Sequence, residues 1–437
     1  MKLHILPSSK GDCLVLEAAS GHCMLVDGGM SNSMRAYGRD AIAEIVADRP
    51  LDAIYVSHVD DDHISGVLEF LRGALDWKVY DFHVANGENV RAPKFPRPPV
   101  IKNLWHNAFR DQIGKNAGAV EDLIAAAAPA LLASGEASVM LYGAELAEIA
   151  QSVPQAIEVS QLVSEELLDI PVNRIPGPHP DGELLMVRDG QSAFPVGSLR
   201  LTIVGPTAAE LRNLRDGWNN WLREFREPVA KLRATLRARI DAFSESALSG
   251  SPLELGDWNG IANYKNVTAP NVASLLFMVE EDGRRLLLTG DAQQDHIFRG
   301  LKTHAFLDAD EACHLDVLKI QHHGSEHNAD KAFCRAVSAD HYVFCGNGSH
   351  TNPELSVLKL FFESRCGAQS ARAKAAPPDT PFTFWFSSGS RFPDMTPAQA
   401  DHMKRVEDLV DRQIARSGGL MSATFNQGDL YLTLDLP

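Results

Sequence analysis

Apolar and polar residues alternate along the first 30 positions in the manner of short strands. Leu3-His4-Ile5-Leu6, Cys13–Glu17 and Cys23–Val26 are three such runs, separated by the turn formers Gly11-Asp12 and Ser20-Gly21. Asp27-Gly28-Gly29 stops the third sharply. The period then lengthens: Ile42, Ile45 and Val46 share one face, which predicts a helix over Arg39–Asp48. Asp52–Ser57 reads as a buried strand that runs straight into His58-Val59-Asp60-Asp61-Asp62-His63, and Gly66–Arg72 reads as the start of the next helix.

From about residue 93 to 180 the pattern loosens, with helical stretches at Ala119–Ala133, Ala144–Ala150 and Ser160–Leu168 between Pro-rich loops. Strand character returns at Leu199–Val204. Ala208–Arg215 and Trp218–Ser246 read as helices. Further strands are expected at Ala273–Val279, Arg285–Leu288, Val317–Ile320 and His341–Cys345. The C-terminal part adds Phe382–Phe386, a helix over Pro397–Arg416, and strands Ser422–Asn426 and Leu430–Asp435. Two strand-rich blocks flanking an irregular middle imply an α/β sandwich with sheets inside and helices outside. A single domain over 1–437 is expected, with a partly helical insertion at about 90–262 and a C-terminal completion at about 380–437.

Composition narrows the class. The chain has 437 residues and is 45% hydrophobic, enough for a large core. Its 57 acidic and 41 basic residues give a net charge of −16, which opposes nucleic-acid binding driven by overall charge. No run approaches the ~20 apolar residues of a membrane span. The start, MKLHILPSSKGDCLVLEA, lacks the apolar core and cleavage site of a signal peptide. Six scattered Cys form no CxxC pair, so neither a disulfide framework nor a zinc knuckle is expected. The reading is a soluble cytoplasmic protein without membrane contact.

Four segments carry candidate chemistry, each just after an expected strand: Ser57–His63, Leu288–Asp291, Ile320–Ser325 and Gly348–Glu354. Loops leaving strand ends can converge on one cleft. Imidazole and carboxylate together suit Zn, Mn, Fe or Co, and a carboxylate can bridge two ions. For a single residue of the first segment the plainer reading is an acidic loop capping the next helix, with Asp62 or Ser65 as N-cap. Four potential ligands at this spacing reverse that preference. His83, His106 and His179 read as surface or loop histidines.

These motifs resemble the metallo-β-lactamase superfamily, whose signature is H-x-H-x-D-H, and within it the ComEC-like branch, which carries Asp at the second His. Here the run is H-V-D-D-D-H. Lys10–Cys13, Leu25–Gly29, Asn271–Leu275, Leu287–Ala292, Leu318–Ser325 and His350 with Pro353-Glu354 resemble that branch in order. The resemblance implies an αββα sandwich and two divalent metal ions, Zn or Mn. His58 and Asp60 would bind the first ion, Asp62 and His63 the second, with Asp291 bridging. His322, His323 and His350 would complete the shells or touch substrate. Asp27 would orient a ligating His from behind.

A metal-bridging hydroxide is the expected nucleophile, with Asp62 or a nearby carboxylate handling its proton, and Asp62 and His323 as candidate catalytic residues. The resemblance favours a phosphodiester substrate in nucleic acid or a nucleotide. Arg223, Arg226, Lys231, Arg233, Arg237 and Arg239, interleaved with Trp218, Trp221 and Phe225, could bind phosphate and stack bases; a solvated helix face is the commoner reading of such a segment. Alternatives are a small-molecule hydrolase acting on a phosphocholine ester or lactone, and a catalytically silent metal-binding module. Neither a G-x-S-x-G elbow nor a P-loop is present.

Overall fold

The protein is described from a computed structural model, in residues 1–107, 155, 158–177, 183–188, 190–212 and 274–437. The helices expected at Ala119–Ala133, Ala144–Ala150 and Trp218–Ser246, and the basic-aromatic segment, lie outside the described residues.

Two sheets form the centre. In the first, β1 (Lys2–Ile5), β2 (Leu14–Glu17), β3 (Cys23–Val26), β4 (Leu51–Val56), β5 (Leu104–His106) and β14 (Leu432–Asp435) run in the order β14-β1-β2-β3-β4-β5. The second comprises β6 (Phe194–Val196), β7 (Leu199–Gly205), β8 (Leu276–Glu281), β9 (Arg284–Leu288), β10 (Cys313–Lys319), β11 (Val337–Phe344), β12 (Phe382–Phe386) and β13 (Met421–Phe425). Its order is β13-β12-β11-β10-β9-β8-β7-β6. The strands β5, β6 and β7 fall inside 90–262 and belong to the sheets themselves.

Alternation along the strands sends one set of side chains between the sheets and the other outward. Leu3, Leu14, Tyr55 and Trp105 of the first sheet meet Phe277, Leu286, Val317 and Val343 of the second in one buried cluster. The outer face of the first sheet packs on α1 (Arg39–Val46) and α2 (Asp61–Ala85) through Ile42, Val46, Ile64, Val67 and Leu71. The outer face of the second packs on α3 (Gln294–Thr303), α4 (Lys331–Ala336), α5 (Leu355–Cys366) and α6 (Pro397–Arg416). The result is a four-layer α/β sandwich, helix–sheet–sheet–helix. Among the described residues no helix is long and apolar enough to cross a membrane.

Strand direction positions the site. β3, β4 and β5 are parallel, as are β9 to β13, while β1 is antiparallel to β2 and therefore runs with β3. The carboxyl ends of β1, β3 and β4 thus open on one edge of the first sheet, and those of β9, β10 and β11 on one edge of the second. The two edges are tied where Leu275 N donates to Ser57 O at 2.8 Å and the Tyr55 hydroxyl donates to Leu275 O.

The helix expected from Gly66 begins earlier, at Asp61, so Asp61, Asp62 and His63 form its first turn and Asp60 is the N-cap. That turn sits directly on the Asp27-Gly28-Gly29 corner. Gly28 N donates to His63 O and Gly66 N to Gly29 O, each at 2.9 Å. A Cβ at Gly66 would lie 1.9 Å from Gly28 O, so this approach requires glycine.

Candidate metal centre

Each side chain of the centre leaves a strand end or the helix that follows it. His58 follows β4, Asp62 and His63 start α2, Asp291 follows β9, and His322 and His323 follow β10. All four imidazoles aim Nε2 at the Asp291 carboxylate. His63 Nε2 is 3.3 Å from Oδ1; His323, His58 and His322 lie 3.4, 3.8 and 3.8 Å from Oδ2. Asp60 Oδ2 is 3.4 Å from His58 Nε2, and Asp62 reaches His323 Nε2 at 3.4 Å and His63 Nε2 at 3.9 Å. Asp61, the middle acid, turns away and accepts from Gln155 Nε2 at 2.8 Å.

The other ring nitrogen of each histidine is anchored, and the anchors decide the tautomer. Asp27 Oδ2 accepts from His63 Nδ1 at 2.9 Å, and Asp12 Oδ1 from His323 Nδ1 at 3.0 Å. Asn328 spends its amide nitrogen on Asp291 O and Ala292 O, so its oxygen accepts from His322 Nδ1 at 2.8 Å. Ser57 Oγ donates to Asp27 Oδ2 at 2.7 Å and so accepts from His58 Nδ1 at 3.0 Å. Four Nδ1 donors leave four Nε2 lone pairs facing inward, which is how imidazoles are prepared for a cation.

Those inward atoms face one another without a hydrogen bond. His58 Nε2, His63 Nε2, His323 Nε2, Asp60 Oδ1 and Asp291 Oδ1 are buried without a hydrogen bond. Such atoms are costly to leave unsatisfied. Their convergence from five residues fits a metal, and mixed nitrogen and oxygen donors suit Zn or Mn. The electrostatics agree. Burial would lower the His63 imidazole, but Asp291 and Asp27 outweigh it and hold its pKa well above the usual value. Burial acts the same way on His323, and Asp291 and Asp12 again prevail. Burial would raise Asp291, yet the facing His323, His63 and His322 hold its carboxyl well below the carboxylate range. The cage therefore stabilises positive charge, which a divalent cation can supply by displacing protons.

Residues 8–76 match the family model described as the metallo-beta-lactamase superfamily. The chain has a metallo-β-lactamase-type fold. The matched stretch runs from the loop bearing Asp12 into α2 and carries Asp27 and the whole His58–His63 run. No curated protein matches the chain. Among solved structures, Zn(2+)-bound PqqB from Methylobacterium extorquens is 11% identical, with both chains fully covered and a TM-score of 0.33. A mutant metallo-beta-lactamase from Cronobacter sakazakii is 10% identical, with 94% of this chain and 93% of that one covered and a TM-score of 0.24.

The structure brings together His58, Asp60, Asp62, His63, Asp291, His322 and His323, with Asp27 behind His63. His350 differs from these: it is exposed, on the single turn Ser349–Thr351. His106, expected at the surface or in a loop, is instead buried at the end of β5, where burial pushes its imidazole down to about 4. His83 is half-buried near the end of α2 beside Glu88, and His179 lies outside the described residues. Four participants, Asp12, Ser57, Lys319 and Asn328, carry no role in the sequence pattern, and Asn328 lies three residues past the Ile320–Ser325 segment. Asp12 reads as a turn residue, and its contact with His323 spans 311 positions. Ser57 reads as the end of a strand. Lys319 did carry a signal: a charged residue inside the apolar run Val317-Leu318-Lys319-Ile320 requires a buried counter-charge.

Proposed function

We propose that this protein is a metal-dependent hydrolase holding two divalent cations, and that its substrate is a phosphodiester in nucleic acid or a nucleotide. The observation that carries the metal reading is the convergence of partnerless Nε2 and carboxylate atoms on Asp291. His58, Asp60, Asp62, His63, Asp291, His322 and His323 would hold the ions. Charge balance supports two of them. Asp12, Asp27, Asp60, Asp62 and Asp291 bring five carboxylates against the one ammonium of Lys319, an excess of four negative charges that two divalent cations neutralise. Bound divalent cations supply Lewis-acid polarisation and a water of lowered pKa.

The chain's residues do the rest. Asp291 spans the centre and reaches both ligand groups. Asp62, partly exposed at the helix start, can take the proton released during attack, and His323 beside it orients that carboxylate. His322, a third exposed, would be the ligand most open to substrate. The phosphodiester class rests on the ordered resemblance to the ComEC-like branch. The test is metal analysis followed by assays with Mn or Zn on single-stranded DNA, RNA, cyclic nucleotides and bis-nitrophenyl phosphate. Metal-dependent cleavage is expected, abolished in a folded Asp291→Asn variant. Less than about one metal equivalent without recovery on adding metal would refute the metal reading. Turnover of the generic ester alone would shift the substrate to a small molecule.

A further inference from the structure

We propose that Asp12 and Lys319 form a buried positioning pair that sets the proton and the orientation of His323. The inference rests on the metal-dependent reading above and assigns roles to two residues outside the expected ligand set. Both side chains are almost fully buried. Asp12 Oδ1 accepts from His323 Nδ1 at 3.0 Å, and Oδ2 takes the Lys319 ammonium. Lys319 Nζ also donates to Gly290 O at 3.1 Å and stands 3.9 Å from Asp291 Oδ1. One ammonium thus joins three separate strand-end segments: the loop after β1, the Gly290-Asp291 turn and the end of β10.

Asp12 has an arrangement in which it could be read as a metal ligand, because it, His63, Asp291 and His323 each place a donor atom within 4.8 Å of the others. Its hydrogen bonding argues otherwise. Both oxygens are already committed, one to the outward nitrogen of His323 and one to Lys319, whereas His63 Nε2, Asp291 Oδ1 and His323 Nε2 face inward without a hydrogen bond. The place of Asp12 is also rigid. A Cβ at the preceding Gly11 would lie 1.7 Å from Asp62 O, so this loop is pressed onto the first turn of α2. His323 has a left-handed backbone, φ 56°, so its ring direction depends on a side-chain anchor. Asp12 anchors His323 as Asp27 anchors His63, and Lys319 anchors Asp12 where Ser57 anchors Asp27.

An Asp12→Asn variant separates the roles. Its oxygen can still accept from Lys319, but its NH2 then faces His323 Nδ1, which must accept, and the imidazole proton moves to the inward Nε2. Zn(2+) titration of wild type and variant, with thermal melting of both, is the measurement. Positioning predicts full Zn stoichiometry with affinity reduced roughly ten- to a hundredfold. In Zn-loaded wild type, nitrogen-15 NMR should show His323 protonated at Nδ1 and metal-bound at Nε2, a readout that needs no variant to fold. Unchanged affinity in Asp12→Asn, or a His323 that binds Zn through Nδ1, overturns the pair. Loss of one Zn equivalent in the variant also overturns it, by making Asp12 a ligand. Failure of the wild type to bind Zn or Mn would instead refute the metal reading itself.

Discussion

Replacing Asp27 with Asn tests whether the carboxylates behind the histidines control the centre. Asp27 accepts three hydrogen bonds: from Ser57 N at 2.7 Å, Ser57 Oγ at 2.7 Å and His63 Nδ1 at 2.9 Å. The amide has the same size and only one accepting oxygen. With that oxygen kept by Ser57 N, the NH2 faces His63, whose proton shifts to the inward Nε2 and blocks a cation. Affinity for Zn should fall roughly ten- to a hundredfold, or about 1.4–2.7 kcal/mol. Stability should fall less than the count of bonds suggests. Three charge-assisted bonds become neutral at a cost of about 1 kcal/mol each, and the smaller desolvation of an amide offsets part of that sum. The assay pairs competitive chelator titration with thermal melting of the metal-free protein. A cooperative melt within several degrees of wild type, with weakened Zn binding, is the expected result. A folded Asp27→Asn protein that binds Zn as tightly as wild type would refute the tautomer reasoning for His63.

The raised pKa values of His63 and His323 set a pH dependence. Without metal, their charged forms stabilise the fold fully below the unfolded value of about 6.5 and lose that contribution as pH rises through the folded values. Metal must displace these protons, so affinity should rise with pH through neutrality; calorimetry at pH 7 in buffers of different ionisation enthalpy should show net proton release, and heats independent of buffer would contradict it. His350→Ala should leave metal content unchanged and shift stability by no more than about 0.5 kcal/mol. Metal loss on that substitution would place His350 in the centre despite its exposed turn.

Local signals made much of the frame readable. The limits of β3, β12 and α6 are those the pattern predicts. β3 is an apolar run cut by Asp-Gly-Gly, and α6 opens with a capping box, Thr396 with Gln399, and Pro397 at its first position. α2 starts at Asp61, ahead of the Gly66 the apolar pattern marks, because Asp61 and Asp62 suit a helix N-terminus but look like loop residues when taken one at a time. β5 is three residues long, too short for any period, and the burial of His106 went with it. α3 and α5 carry no side-chain cap to mark their starts in the sequence.

The centre shows the same division more sharply. Ligand-type residues announce themselves because imidazoles and carboxylates crowd into short segments after strands. The groups that orient them are single residues, an Asp in a turn, a Ser at a strand end, a Lys in an apolar run, and become meaningful only when the two sheets face each other. Asp12 reaches His323 across the sandwich, and Lys319 reaches Asp12 from the opposite sheet while holding Gly290 of its own. A chain that kept H-V-D-D-D-H and H-H-G but lost these anchors would retain the motif, while its Nε2 atoms would no longer be held inward. The metal binding proposed for this protein would therefore depend on the packing of the two sheet edges as well as on the ligands.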